Sequence, residues 1–153
     1  MRGFAGSDLP ARAGDPGYPR RVSTTAPASR TAPVWPALVA DVVAVVAFTL
    51  IGIASHDGSL IAAFGRVVWP FALAAAIGWA WTRAWHDPAR VWPTGVMIWF
   101  TTVIGGLVLR GVSGQGLAWS FALVTTIFLA ITMLGWRGLV AALRRAQASA
   151  AQD

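Results

Sequence analysis

Four apolar runs set the terms for this chain, at about residues 37–55, 60–82, 94–110 and 117–136. Each approaches the roughly 20 residues that a helix rising about 1.5 Å per residue needs to cross a bilayer's hydrocarbon core. Lipid offers no water to satisfy backbone N–H and C=O groups, so such runs must be helical. The expected fold class is all-α: a polytopic integral membrane protein, a bundle of four transmembrane helices. The third run is the shortest, but Trp92 and Arg110 can sit in the interfaces at its ends. Connections at 55–59 and 111–116 are short and contain glycine, which predicts two antiparallel hairpins. The link at 83–93 is longer and polar. Pro36 and Pro93 stand at helix starts, where a missing N–H costs nothing.

Composition agrees with a membrane protein. Only 12% of the residues are charged, against roughly 25% in a soluble domain, and the mean hydropathy is +0.61. There is no cysteine, which excludes disulfides, thiolate chemistry, iron–sulfur clusters and cysteine zinc sites. All 12 basic residues are arginine and the net charge is +6. Arginines flanking apolar spans serve to orient them, and no nucleic-acid-binding motif is present, so nucleic acid is not expected as a partner.

Residues 1–33 are rich in Pro, Ala, Gly, Ser, Thr and Arg and read as a disordered cytoplasmic tail. Arg20-Arg21 resembles a twin-arginine export signal. The following run is too long for a signal segment, carries Asp41 and lacks a small-x-small cleavage site, so export is not expected. The transmembrane domain then covers 34–138. In the tail at 139–153, Leu139, Val140 and Leu143 can face lipid while Arg144 and Arg145 face headgroups, which predicts a partly interfacial helix.

Charge sets the orientation. An inside N-terminus keeps Arg2, Arg12, Arg20, Arg21, Arg30, Arg83, Arg90, Arg137, Arg144 and Arg145 in the cytoplasm and leaves Arg110 flanking a span outside. The expectation is a bacterial cytoplasmic membrane with both termini cytoplasmic. Trp35, Trp79, Trp81, Trp85, Trp92 and Trp136 fall at the inner ends, as an interfacial belt would.

Trp69-Pro70-Phe71-Ala72-Leu73 resembles Trp119-Ser120-Phe121-Ala122-Leu123. Both stretches open the second helix of a hairpin, and the helices end near Gly78-Trp79 and Gly135-Trp136. A parallel duplication of hairpins would give this pattern. The small-x-x-x-small pairs Ala74/Gly78, Thr101/Gly105 and Thr102/Gly106 allow close helix approach. Pro70 removes a donor mid-helix and frees a carbonyl near Arg66.

Polar groups inside the spans are the candidate functional residues. Asp41 lies about five residues into the first span, where an acid costs about 2.5–3.5 kcal/mol at most; ten Val, Leu, Ile and Phe side chains in that span return about 3–6 kcal/mol. At about 100° per residue, Phe48, Gly52, Ser55 and His56 share its face, which should turn toward the bundle. Arg83, Arg90 and Arg137 stand at its level as partners. A second cluster is expected at the opposite end from His56, Asp57, Arg66 and Arg110. The bland alternatives are a structural Asp–Arg lock and an Arg66 that snorkels outward.

His56-Asp57 and His86-Asp87 invite a metal site. They are predicted on opposite faces, about 30 Å apart, and each offers too few ligands. His86-Asp87-Pro88 reads as a turn. Consecutive Ser55, His56 and Asp57 cannot form a nucleophilic relay. No cofactor and no catalytic constellation is expected.

The series Asp41, Phe48, Ile51-Gly52, Ser55-His56, Pro70-Phe71, Gly78-Trp79, Gly95, Trp99, Arg110-Gly111, Ser120-Phe121 and Gly135-Trp136-Arg137 resembles a bacterial membrane family, domain of unknown function 3054, over about residues 34–138. The family pattern commonly has a basic residue after the glycine that precedes Ser-His; Ile53 stands there, so an outer site has no arginine from the first span. The resemblance implies a small polytopic membrane protein and no activity. The leading functional expectation is a non-enzymatic, transporter-like protein for a small solute or ion. The alternative is a structural or interaction subunit of a membrane complex, and a membrane-embedded enzyme comes third. The expected partners are the bilayer and either further copies of the chain or a membrane complex.

Overall fold

The structure, a computed structural model, describes residues 33–53 and 60–151. The tail before residue 33 and the Ser55-His56-Asp57 exit lie outside the described residues. Within them the regular structure is helical and contains no strand. Helix α1 is Val34–Ile53, α2 Leu60–Thr82, α3 Val96–Val112, α4 Trp119–Leu129 and α5 Gly135–Ala150. A π-helical turn, Ala130–Leu134, joins α4 to α5, and the residues flanking it keep helical dihedrals.

The segments Val34–Ile53, Ala63–Thr82, Val91–Val112 and Trp119–Ala150 are long and apolar enough to cross a membrane. The chain is a multi-pass membrane protein.

Three details differ from the expected spans. Helix α1 begins at Val34 and holds Pro36 in its first turn, where its missing N–H has no helical acceptor to lose. Pro93 does not open a regular helix: Trp92 is extended (φ −117°, ψ 131°) and the Trp92–Pro93 peptide is cis. The Gly95 N–H closes this turn on the Arg90 carbonyl at 2.9 Å. The fourth span does not stop at Trp136. Its 32 residues run unbroken to Ala150, about 48 Å at 1.5 Å per residue, well beyond a hydrocarbon core of about 30 Å.

Helix α2 ends in a Schellman motif. Arg83 takes the left-handed position (φ 48°) that glycine usually fills. Its N–H donates to the Ala80 carbonyl at 3.2 Å, and the Ala84 N–H to the Trp79 carbonyl at 3.1 Å. Ala84, Pro88 and Ala89 then fold inward and are buried. The α3–α4 connection turns through Gly114 and Gly116, both with positive φ (71° and 74°).

Lipid tails are as apolar as the side chains they would replace, so helices associate here through close packing. The most extensive contact is between α2 and α3. A Cβ added to Gly78 would lie 3.2 Å from the Ile98 Cα, and one added to Gly105 would lie 3.0 Å from the Ala74 Cβ. The small residues of the two helices thus face each other. Gly106 leaves the space that the Phe71 ring fills. Phe71 packs edge-on to Phe48 of α1 (centroids 5.2 Å, 73°), and Phe121 and Phe128 of α4 close on Phe48 at 5.7 and 6.0 Å. This aromatic cluster fills the middle of the bundle. Buried Thr49, Thr102 and Thr125 turn their hydroxyls onto carbonyls of their own helices at 2.9, 2.7 and 2.7 Å, which satisfies them without a partner helix.

Candidate functional site

Asp41 and Phe48 are two turns apart on the buried face of α1, and both side chains are almost fully enclosed. The partner of Asp41 is Arg137, at the start of α5. The guanidinium meets the carboxylate in bidentate fashion: Nη1–H donates to Oδ1 at 2.8 Å and Nη2–H to Oδ2 at 2.6 Å. This parallel fork is the strong form of the ion pair. Arg137 also donates from Nε to the Pro88 carbonyl at 3.0 Å and from Nη1 to the Met133 carbonyl at 2.8 Å. The other lone pairs of Asp41 take two indole donors, Trp79 Nε1–H at 2.9 Å and Trp136 Nε1–H at 3.0 Å. The Arg137 guanidinium carbon stands 4.3 Å from the Trp136 ring centroid.

The sequence places this cluster through several local devices. The π turn immediately precedes Trp136-Arg137, and a residue of that turn, Met133, supplies a carbonyl to the guanidinium. The Schellman end of α2 swings Pro88 over the pair. Gly95 is required for space, since a Cβ there would stand 2.6 Å from the Arg137 Cδ. All four membrane-crossing segments therefore contribute: α1 through Asp41, α2 through Trp79, the segment leading into α3 through Gly95, and α4–α5 through Met133, Trp136 and Arg137.

Arg83 and Arg90, the other partners considered for Asp41, are exposed. Arg90 Nε–H instead donates to the Trp92 carbonyl at 2.9 Å. Of the tryptophans expected in an interfacial belt, Trp35, Trp81, Trp85 and Trp92 are exposed, whereas Trp79 is buried and Trp136 half-buried against Asp41. The role of Trp79 and Trp136 was missed from sequence. The signal for it is the matched Gly-Trp pair, Gly78-Trp79 and Gly135-Trp136.

At the opposite end Ser55, His56 and Asp57 lie outside the described residues. Arg66 is exposed and has no hydrogen bond or ion pair among the described residues. Arg110 folds back on its own turn, donating from Nη1 to Gln115 Oε1 at 3.0 Å, and stacks 4.3 Å from the Phe121 ring centroid. No contact among the described residues joins Arg66 to Arg110. His86 is exposed, and its Nδ1 lies 3.2 Å from the Arg83 carbonyl. The described residues contain no group of three metal-ligating side chains.

An apolar groove of about 480 Å³ runs between α1 and α2, lined by residues such as Leu38, Val42, Val45, Phe64, Val68 and Ala76. Asp41 reaches its wall but is only 2% exposed. The carboxylate has no open lone pair for a metal or substrate, and the aromatic cluster separates it from the Arg110 end. As it stands, the arrangement holds helices together.

Neither the curated proteins nor the solved structures gave a match to this chain. The model of the family described as Protein of unknown function (DUF3054) matches residues 38–140, a stretch that opens just before Asp41 and closes just after Arg137, and the chain belongs to that family.

Proposed function

We propose that this protein is a non-enzymatic component of the bacterial cytoplasmic membrane, a structural or interaction subunit of a membrane complex, with both termini in the cytoplasm. The observation that carries this reading is the saturation of Asp41. A carboxylate that relays protons or binds a passing ion needs a free face. Here each carboxylate oxygen accepts two hydrogen bonds. Beyond the pair, the bundle centre is filled by Phe48, Phe71, Phe121 and Phe128, with buried hydroxyls turned onto their own helices. This favours a rigid unit over a conduit for a small solute or ion. The orientation rests on Arg83, Arg90, Arg137, Arg144 and Arg145, which all follow or approach the Asp41 end of a span.

The test is to extract the full chain from its native membrane in lipid–polymer discs and measure the particle mass. A particle holding a partner chain or further copies in fixed ratio to the 16.1 kDa chain is expected. A single-copy particle overturns the reading, and solute or ion flux from that particle in proteoliposomes would put the transporter in its place.

A further inference from the structure

A second polar site lies outside the buried pair. A cavity of about 460 Å³ opens between the 87–92 segment and α5, lined by Asp87, Arg90, Trp92, Ala141, Arg144 and Arg145 among others. Three arginines line it against one aspartate. The Arg144 and Arg145 side chains have no hydrogen bond or ion pair among the described residues. Arg90 is tethered through Nε to the Trp92 carbonyl, which leaves its Nη groups to point elsewhere. The rest of the lining is apolar and includes Val91, Ala141 and the exposed indole of Trp92, a side chain suited to the bilayer interface.

The depth of this cavity follows from the helix that carries it. If the α4–α5 helix enters hydrocarbon at Trp119, a core of about 30 Å ends about 20 residues later, near Leu139. Arg144 and Arg145 then stand about 8 Å further on, at the level of lipid phosphates. Arginine presents a planar fork of donors that matches phosphate oxygens.

We propose that this cavity binds a phosphate-bearing anion, supplied either by the headgroup of an anionic phospholipid or by a soluble phosphate compound. The site stands on its own geometry and needs neither the proposed subunit role nor the assigned orientation. Occupancy bridges the 87–92 segment to α5. That segment also carries Pro88, whose carbonyl holds Arg137, so a bound anion braces the buried pair from outside.

The test uses the full-length protein in neutral detergent. One arm measures retention of phosphatidylglycerol against phosphatidylcholine by native mass spectrometry. The other measures the melting shift given by inorganic phosphate against chloride at equal ionic strength. Arg144→Gln with Arg145→Gln should weaken binding about thirtyfold, as expected for two surface arginines, while Arg66→Gln leaves it unchanged. Arg144→Lys with Arg145→Lys should restore part of it. Selective retention of phosphatidylglycerol assigns the source to lipid, and a phosphate-specific shift alone assigns it to a soluble compound. Equal retention of both lipids without a phosphate shift, an unaltered Gln variant, or equal weakening by Arg66→Gln overturns the proposal.

Discussion

At the scale of single residues, Asp41 accepts four hydrogen bonds and Arg137 donates four, two of them shared. Every one of these contacts stabilises the charged pair, and removal of one partner leaves the other charge stranded. Breaking a buried pair in this way costs about 3–5 kcal/mol. Asp41→Asn is therefore expected to lower the melting temperature in detergent steeply. Arg137→Gln should do the same, and the double variant should be less damaged than the two losses added together, because it leaves no stranded charge even though the amides cannot replace every hydrogen bond of the pair. Trp79→Phe and Trp136→Phe each delete one donor to a carboxylate and should cost about 1.5–3 kcal/mol. A thermal-shift series reads all five, and an unchanged melting point for Asp41→Asn would remove the structural role assigned to the pair. Much of this was legible in the sequence: an acid within an apolar span demands a partner, and three arginines stood at its level. The choice among them was not legible. It depends on the Schellman turn that directs Arg83 outward, on the tether of Arg90 to Trp92, and on the space left by Gly95 for Arg137.

At the scale of the helices, glycines of two neighbouring membrane segments play opposite parts. A Cβ on Gly106 would enter the ring of Phe71, which is fully buried against Phe48 and cannot retreat. Gly65 on α2 has nothing within 4 Å of its Cβ position. Gly106→Ala is thus expected to cost about 1–3 kcal/mol by overpacking, whereas Gly65→Ala should be neutral or should stabilise by up to about 1 kcal/mol through lost backbone freedom. Comparing the two melting temperatures decides whether α2–α3 packing is as tight as described; equal effects would contradict it. The small-x-x-x-small pairs gave this interface away in the sequence. The π turn and the extended Trp92 left no such trace. In a span apolar on both its lipid and its bundle faces, the 3.6-residue period fades, so pattern alone does not reveal a shift of helical phase. Helices α4 and α5 read as two elements for another reason: after Trp136 the chain turns from apolar to amphipathic and arginine-bearing, although the helical segment runs on through 32 residues.

At the scale of the whole molecule, the two similar stretches sit differently in their helices, since Trp119 opens α4 whereas Trp69 stands in the middle of α2, yet their side chains meet. The two halves of the suspected repeat send Phe71 and Phe121 into one aromatic cluster, with centroids 6.1 Å apart, and Trp79 and Trp136 onto one carboxylate. The second helix of each hairpin thus has the same job, which requires both to run in the same direction across the bilayer. Their N-terminal ends, near Arg66 and Trp119, must then share one face with the α3–α4 turn, and their C-terminal ends must share the other with Arg83, Arg90, Arg144 and Arg145. The arginine-rich face is expected to be cytoplasmic, since retaining those charges inside is what fixes membrane topology. A chain without cysteine makes this directly measurable. Ser113 lies exposed in the α3–α4 connection and Ser149 exposed near the end of α5, on opposite faces. Ser113→Cys should react with an impermeant maleimide on intact cells, and Ser149→Cys only after the membrane is opened. The reverse pattern would invert the molecule, and labelling of both on intact cells would break the four-span topology itself.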